Sequence, residues 1–238
     1  MVDTRSRPAL LLGLCLLIGI ALGAWQIAGA MVKVKEYERT VTVKGLAERE
    51  VPADIVIWPI GFALASNSLD ELYTELEASK QKVRAFLQAQ QIADDSITMG
   101  APMINDKSLY MYGDDSAEFR YTASQIVTVY SEDIPQVRQA MTRLSELGQQ
   151  GLVLASDHYG AQVQYLFVGL NDIKPNMIEQ ATKNAREVAI KFAEDSGSKL
   201  GKIKRASQGQ FSINDRDTNN PHIKNVRVVS TVEYYLSD

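Results

Sequence analysis

The chain opens on one uninterrupted apolar run and then settles into alternating strand-like and helix-like patterns. Ala9 to Val32 is apolar except for Gln26. At 1.5 Å per residue, a helix of about 24 residues is roughly 36 Å long, enough to cross a hydrocarbon core of about 30 Å with tilt. Ala28 and Ala30 offer the small residues of a signal-peptide cleavage site, but a signal core runs only about 7–15 apolar residues. The expectation is an uncleaved transmembrane anchor over 9–32. Leu14 is too large for lipid processing at Cys15. Arg5 and Arg7 precede the run, and Lys33, Lys35 and Arg39 follow it, so the basic residues do not orient it. A short cytoplasmic tail, 1–8, with the rest exported, is the simpler topology, because a large domain translocates largely regardless of charge.

After the anchor the period changes from helix to strand. Arg39–Ala47 and Asp54–Ala65 read as strands, the second with Val56, Trp58, Ile60, Phe62 and Leu64 on one face. Pro59 removes a ladder donor, which predicts an edge position or a bulge there. Leu69 to Gln91 then carries Leu69, Leu72, Leu76, Val83, Phe86 and Leu87 at helical spacing. Ser68 and Glu71 form a capping box at its start. Strands follow at Ser96–Asn105 and Glu118–Tyr130, and a second helix after Asp133 faces Ile134, Val137, Met141, Leu144 and Leu147 inward. Leu152–Ser156 and Ala161–Val168 read as a strand pair. The longest helix runs from about Ile173 to Leu200, with Asp172 as its cap and Pro175 in its first turn. Ala181, Ala185, Ala189 and Ala193 draw a small-residue ridge along it, suited to close packing. Lys202–Ile213 and Asn225–Leu236 read as the last strands.

Two stretches echo each other. Ile104-Asn105-Asp106-Lys107 and Ile213-Asn214-Asp215-Arg216 each follow a long helix and a strand, and each precedes a long closing strand. This suggests duplication or pseudo-symmetry within one α+β domain of antiparallel strand pairs and three helices over 39–238.

Composition narrows the chemistry. Hydrophobic residues make up 45% and charged residues 23%, with a net charge of −4, which is ordinary globular composition with no basic field for nucleic acid. One cysteine and two histidines exclude an intramolecular disulfide and a four-ligand zinc site of Cys and His. Neither His158 nor His222 lies by a G-x-S-x-G turn, and phosphate-cradling glycine loops are missing. Asp215, Asp217 and Asn219 imitate the start of a calcium loop, but Asn220 and Val226 stand where glycine and glutamate belong. A polar hairpin is the better reading. Asp94-Asp95 and Asp114-Asp115 sit in turn-like contexts, and the four basic residues of 199–205 suit the carboxyl end of a helix. No catalytic residue, cofactor or metal is expected.

The motifs carry a resemblance. Val43-Lys44-Gly45-Leu46-Ala47-Glu48, then Val51-Pro52-Ala53-Asp54, then Tyr121-Thr122-Ala123-Ser124-Gln125 resemble the signatures of SIMPL-domain proteins. So does the alanine-spaced last helix with its Leu200-Gly201 ending. Many members have Pro and Asp adjacent, where Ala53 intervenes here. The resemblance covers about 40–236. It implies an exported α+β envelope protein without an established catalytic activity, with links in some members to oxidative-stress defence and self-assembly. It makes Gly45, Pro52, Asp54, Tyr121 and Ala123 structural: a close approach, a turn and a buried aromatic strand.

Cys15, Gly19 and Gly23 recur every fourth residue within the apolar run and line one face of a helix, a groove suited to self-association in lipid. The expected partners are the lipid bilayer, a second copy of the chain and other envelope proteins, with no nucleic acid. The expected location is the inner membrane, single-pass, with the C-terminal domain in the periplasm. Two other readings remain open, an envelope enzyme working through Asp114, Asp115, Asp215 and Asp217, and a pore-like ring.

Overall fold

The computed structural model describes residues 6–37, 39–109, 119–155 and 162–237. The first helix, α1, spans Ser6–Tyr37. Its Gly13–Met31 stretch has a mean hydropathy of 1.9 and none of it is buried. That is long and apolar enough to cross a membrane, a property that signal sequences share.

The domain that follows is α+β, with antiparallel sheets. Two long strands, β1 (Thr40–Pro52) and β2 (Ile55–Ser66), open it. Next come α2 (Leu69–Ala89), β3 (Ile97–Met99), β4 (Met103–Asp106) and β5 (Tyr121–Ser131). Then α3 (Ile134–Thr142), α4 (Ser145–Gln149), β6 (Val153–Leu154) and β7 (Gln164–Leu166) follow. The chain closes with α5 (Leu170–Asp195), β8 (Lys199–Gln208), β9 (Ser212–Asp215) and β10 (Ile223–Ser237). Contacts gather these elements into two compact units. One comprises Met1–Glu48, Lys174–Ser212 and Arg227–Asp238, and the other Arg49–Ile173 and Ile213–Val226.

In the second unit, the sheet runs β3-β5-β2-β6, with β4 also on β5 and β7 also on β2. Alternation along β2 sends Val56, Trp58, Ile60 and Phe62 into a core shared with Leu72, Leu76, Val83 and Leu87 of α2. Pro59 is neither at an edge nor in a bulge: β2 is an inner strand, and its register against β5 is unbroken from Val56↔Ser131 to Ser66↔Tyr121. Gly61, two residues on, accepts from Ala155 on the β6 side, so alternation turns the proline ring nitrogen to that side too. There it falls between the residues paired by β7, 55–57, and those paired by β6, 62–63. Among the described residues no ladder bond is lost. β6 and β7 both pair with β2, not with each other as the sequence suggested.

Ser68 caps α2 as expected, accepting from Glu71 N–H at 3.4 Å. The return arm is relayed: Ser68 N–H donates to Ser66 Oγ, whose hydroxyl donates to Glu71 Oε2. Leu69 of the expected stripe is 41% exposed. The helix ends in a Schellman pattern, Ile92 N–H to Leu87 O at 3.0 Å and Gln91 N–H to Gln88 O at 2.9 Å. Gln136 reinforces that end by donating to the carbonyls of Gln90 and Gln91. The turn puts Gln91 at φ +62°, a left-handed position that penalises a Cβ by about 1–2 kcal/mol. Gln91→Gly is therefore expected to stabilise the unit by about 0.5–1 kcal/mol after its unfolded-state entropy is counted, read as a raised denaturation midpoint. Asp133 caps α3, accepting from Gln136 N–H at 3.0 Å, but the single helix expected there is broken at Arg143-Leu144 into α3 and α4.

In the first unit the sheet order is β1-β10-β8, and α5 lies on it. The alanine ridge is its buried stripe: Ala181, Ala185, Ala189 and Ala193 are each at most 2% exposed. Ala185 and Ala189 pack with Val43, Val232 and Tyr234. α5 begins at Leu170, ahead of the expected Asp172 cap.

The strand pairing around the two echoes follows a common pattern. β3 and β4 follow α2 and both pair with β5, while β8 and β9 follow α5 and both pair with β10. Each echoed aspartate meets a cation: Asp106 is forked by Arg120 at 3.1 and 3.0 Å, and Asp215 is paired with Lys224.

Candidate functional site

Segments distant in sequence meet at the turn between β1 and β2. Ala53 N–H donates to His222 O at 2.9 Å, and Asp54 N–H to Leu166 O at 2.8 Å. The Asp54 carboxylate does more. Its Oδ2 accepts from Val168 N–H at 2.7 Å and Gly169 N–H at 2.9 Å. These amides immediately precede α5, so a carboxylate more than a hundred residues away supplies the cap that Asp172 was expected to give. A negative group there also complements the partial positive charge of the helix start. Asp54 thus ties three segments: the turn, the end of β7 and the entry to α5.

His222 sits beside this knot. Its Nε2 lies 3.1 Å from Arg138 Nη1 of α3. A guanidinium only donates, so Nε2 is the acceptor and the neutral ring carries its proton on Nδ1. The Tyr165 ring of β7 tilts against it, with centroids 6.0 Å apart. Burial, then Arg138 and Arg216, push the imidazole pKa below its usual value, opposed by Asp217. Burial raises the Tyr165 phenol. Arg216 is paired with Asp217 at 2.9 Å and Glu50 at 3.8 Å.

The aspartates of the calcium-like run are engaged by protein groups. Asp215 holds Lys224. Asp217 Oδ1 accepts from the backbone N–H groups of Asn219 and Asn220, both at 2.9 Å, an arrangement that closes a polar turn. Among the described residues, no three His, Cys, Asp or Glu side chains gather as metal ligands.

The residues singled out from sequence fall in separate places. Cys15, Gly19 and Gly23 lie on the bare face of α1, where an added Cβ at either glycine would meet nothing. Gly45 lies against α5: a Cβ there would stand 1.9 Å from the Ala181 carbonyl oxygen and 2.8 Å from Ala185 Cβ. Asn184 of α5 donates to Leu46 O beside it at 2.7 Å. Pro52 is exposed at the end of β1, and Ala123 is 2% exposed in the core. Tyr121 is half-buried rather than buried, with the Arg120 guanidinium 4.8 Å over its ring. Asp114, Asp115 and His158 lie outside the described residues. Arg138 was missed because its partner His222 is distant in sequence and neither carries a local motif.

Residues 41–232 match the model of the SIMPL family, described as a protein of unknown function (DUF541). No curated protein matches the chain.

Proposed function

We propose, from the premise that the chain belongs to the SIMPL family, that it is a membrane-anchored envelope protein that works by assembling or by binding partners rather than by catalysis. The observation that carries the anchor is the bareness of α1. Leu14, Leu17, Ile20, Trp25 and Ile27 are each more than half exposed, and an apolar surface of that length needs lipid around it. Self-association is supported by the α5-covered sheet, whose outer strands among the described residues are β1 and β8. β8 is exposed along nearly its whole length. An uncovered edge offers unpaired backbone groups to a strand of another chain. Anchoring by α1, which ends at Tyr37 just before β1 starts at Thr40, keeps such copies in one plane. Pairing two different edges is head-to-tail and closes into a ring when the rotation allows, which favours the ring as a second reading.

The domain lies in the periplasm in this reading, and any part in oxidative-stress defence runs through assembly. The sole thiol, Cys15, lies in the bilayer segment, whereas a redox sensor needs an accessible thiolate. The topology is tested with spheroplasts. Added protease should degrade the domain, and the membrane fraction should yield a peptide containing Arg7 and Leu12. A mature chain starting at Met31 would defeat the anchor.

A further inference from the structure

We propose that His222 is a proton-operated latch, holding the tip of the β9–β10 hairpin against α3 when neutral and releasing it when charged. Beside the Tyr165 ring against His222, three polar contacts hold that tip within its unit: Arg216 to Glu50 at 3.8 Å, Ala53 N–H to His222 O at 2.9 Å, and Arg138 to His222 Nε2 at 3.1 Å. Only the last depends on a group that titrates near neutrality.

Protonation reverses that contact. Nε2 becomes a donor facing a donor, and the ring becomes a cation facing Arg138 of α3 and Arg216 of the hairpin. The carboxylate on the hairpin side is Asp217, already engaged by Arg216, Asn219 and Asn220. Glu50 of β1 is paired with the same arginine. Tyr165 of β7, the remaining titratable neighbour among the described residues, presents a neutral ring whose ionisation is pushed further from neutrality by burial. Among the described residues no neighbouring element supplies an uncommitted negative charge, so the imidazolium leaves Arg138 and the tip loosens.

The direction follows from linkage. The folded-state pKa lies below the ordinary value of 6.5. The contact is therefore intact above about 6.5, and its stabilisation is lost as pH falls from there through the lower folded-state value.

The test uses the full chain in lipid nanodiscs. The sequence has two histidines, so His222 is followed by its imidazole NMR signals once His158→Gln removes the other. Its midpoint should lie below 6.5, and Arg138→Gln should move it upward. Hydrogen exchange of Ala53 and residues 216–223, corrected for the intrinsic rate, should be several-fold faster at pH 5 than at pH 7.5. His222→Gln retains an acceptor for Arg138 and should abolish that difference while leaving the exchange of β2 and β5 unchanged. A midpoint indifferent to Arg138→Gln, equal protection at both pH values, or the same pH response in His222→Gln would overturn the latch.

Discussion

Gly45→Ala should cost about 3–5 kcal/mol, the largest single effect expected in this chain and a large part of the roughly 5–15 kcal/mol that holds a domain together. The added methyl would stand 1.9 Å from the Ala181 carbonyl oxygen, 2.4 Å from Ala185 N and 2.8 Å from Ala185 Cβ. Two of those atoms are backbone, so no rotamer change relieves the overlap. The helix must lift off β1, and Val43, Ala185, Ala189, Val232 and Tyr234 then lose their close packing. The Asn184 bond to Leu46 O goes with it. Thermal unfolding of the full chain in detergent measures the effect. A melting temperature within a degree or two of the parent would refute the close approach. Gly148→Ala is the control, since a Cβ there meets nothing within 4 Å.

Asp54→Ala should be the second largest, about 2–3 kcal/mol. It removes two bonds to a charged acceptor, each worth about 1.5–3 kcal/mol before water replaces part of the loss, and strands the Val168 and Gly169 amides. Asp54→Asn should cost only about 1 kcal/mol. Both amides bind the same oxygen, Oδ2, and an asparagine carbonyl can occupy its place without the charge. Hydrogen exchange at Val168 and Gly169 should rise steeply in the alanine variant and modestly in the asparagine one. Equal exchange in all three proteins would show that the carboxylate is not the cap.

These two residues show what a sequence makes legible. Local rules worked where cause and effect are neighbours: Ser68 caps the helix that starts one residue later, and alternation along β2 names its core face. The alanine ridge of α5 announced a close contact, and Gly45 announced a close approach. That the two meet could not be read, because nothing local connects residues so far apart. Asp54 was read as a turn residue, which it is; its carboxylate also reaches forward to start α5, so the nearer Asp172 was mistaken for the cap. Pro59 misled for a related reason. Its cost depends on which partner strand lies opposite, and that strand is interrupted. His222 was tested against serine-hydrolase chemistry and set aside, although its partner is an arginine on α3. The interleaving of the two compact units, each assembled from segments that skip along the chain, leaves no linker or composition break to mark it.

The proposal that the protein works by assembly rests most directly on copies meeting through the anchor, the sheet edges, or both. The mass of the full chain, extracted from membranes in a mild detergent and measured by native mass spectrometry, decides it. The expected result is a defined multiple of the 26.4 kDa protomer, or a fixed stoichiometric complex with an envelope protein. Oxidative crosslinking through Cys15 would then show whether the α1 groove is shared, with Gly19→Leu or Gly23→Leu reducing the trapped dimer. A lone 26.4 kDa protomer across the concentration range, with no partner retained, would contradict the proposal.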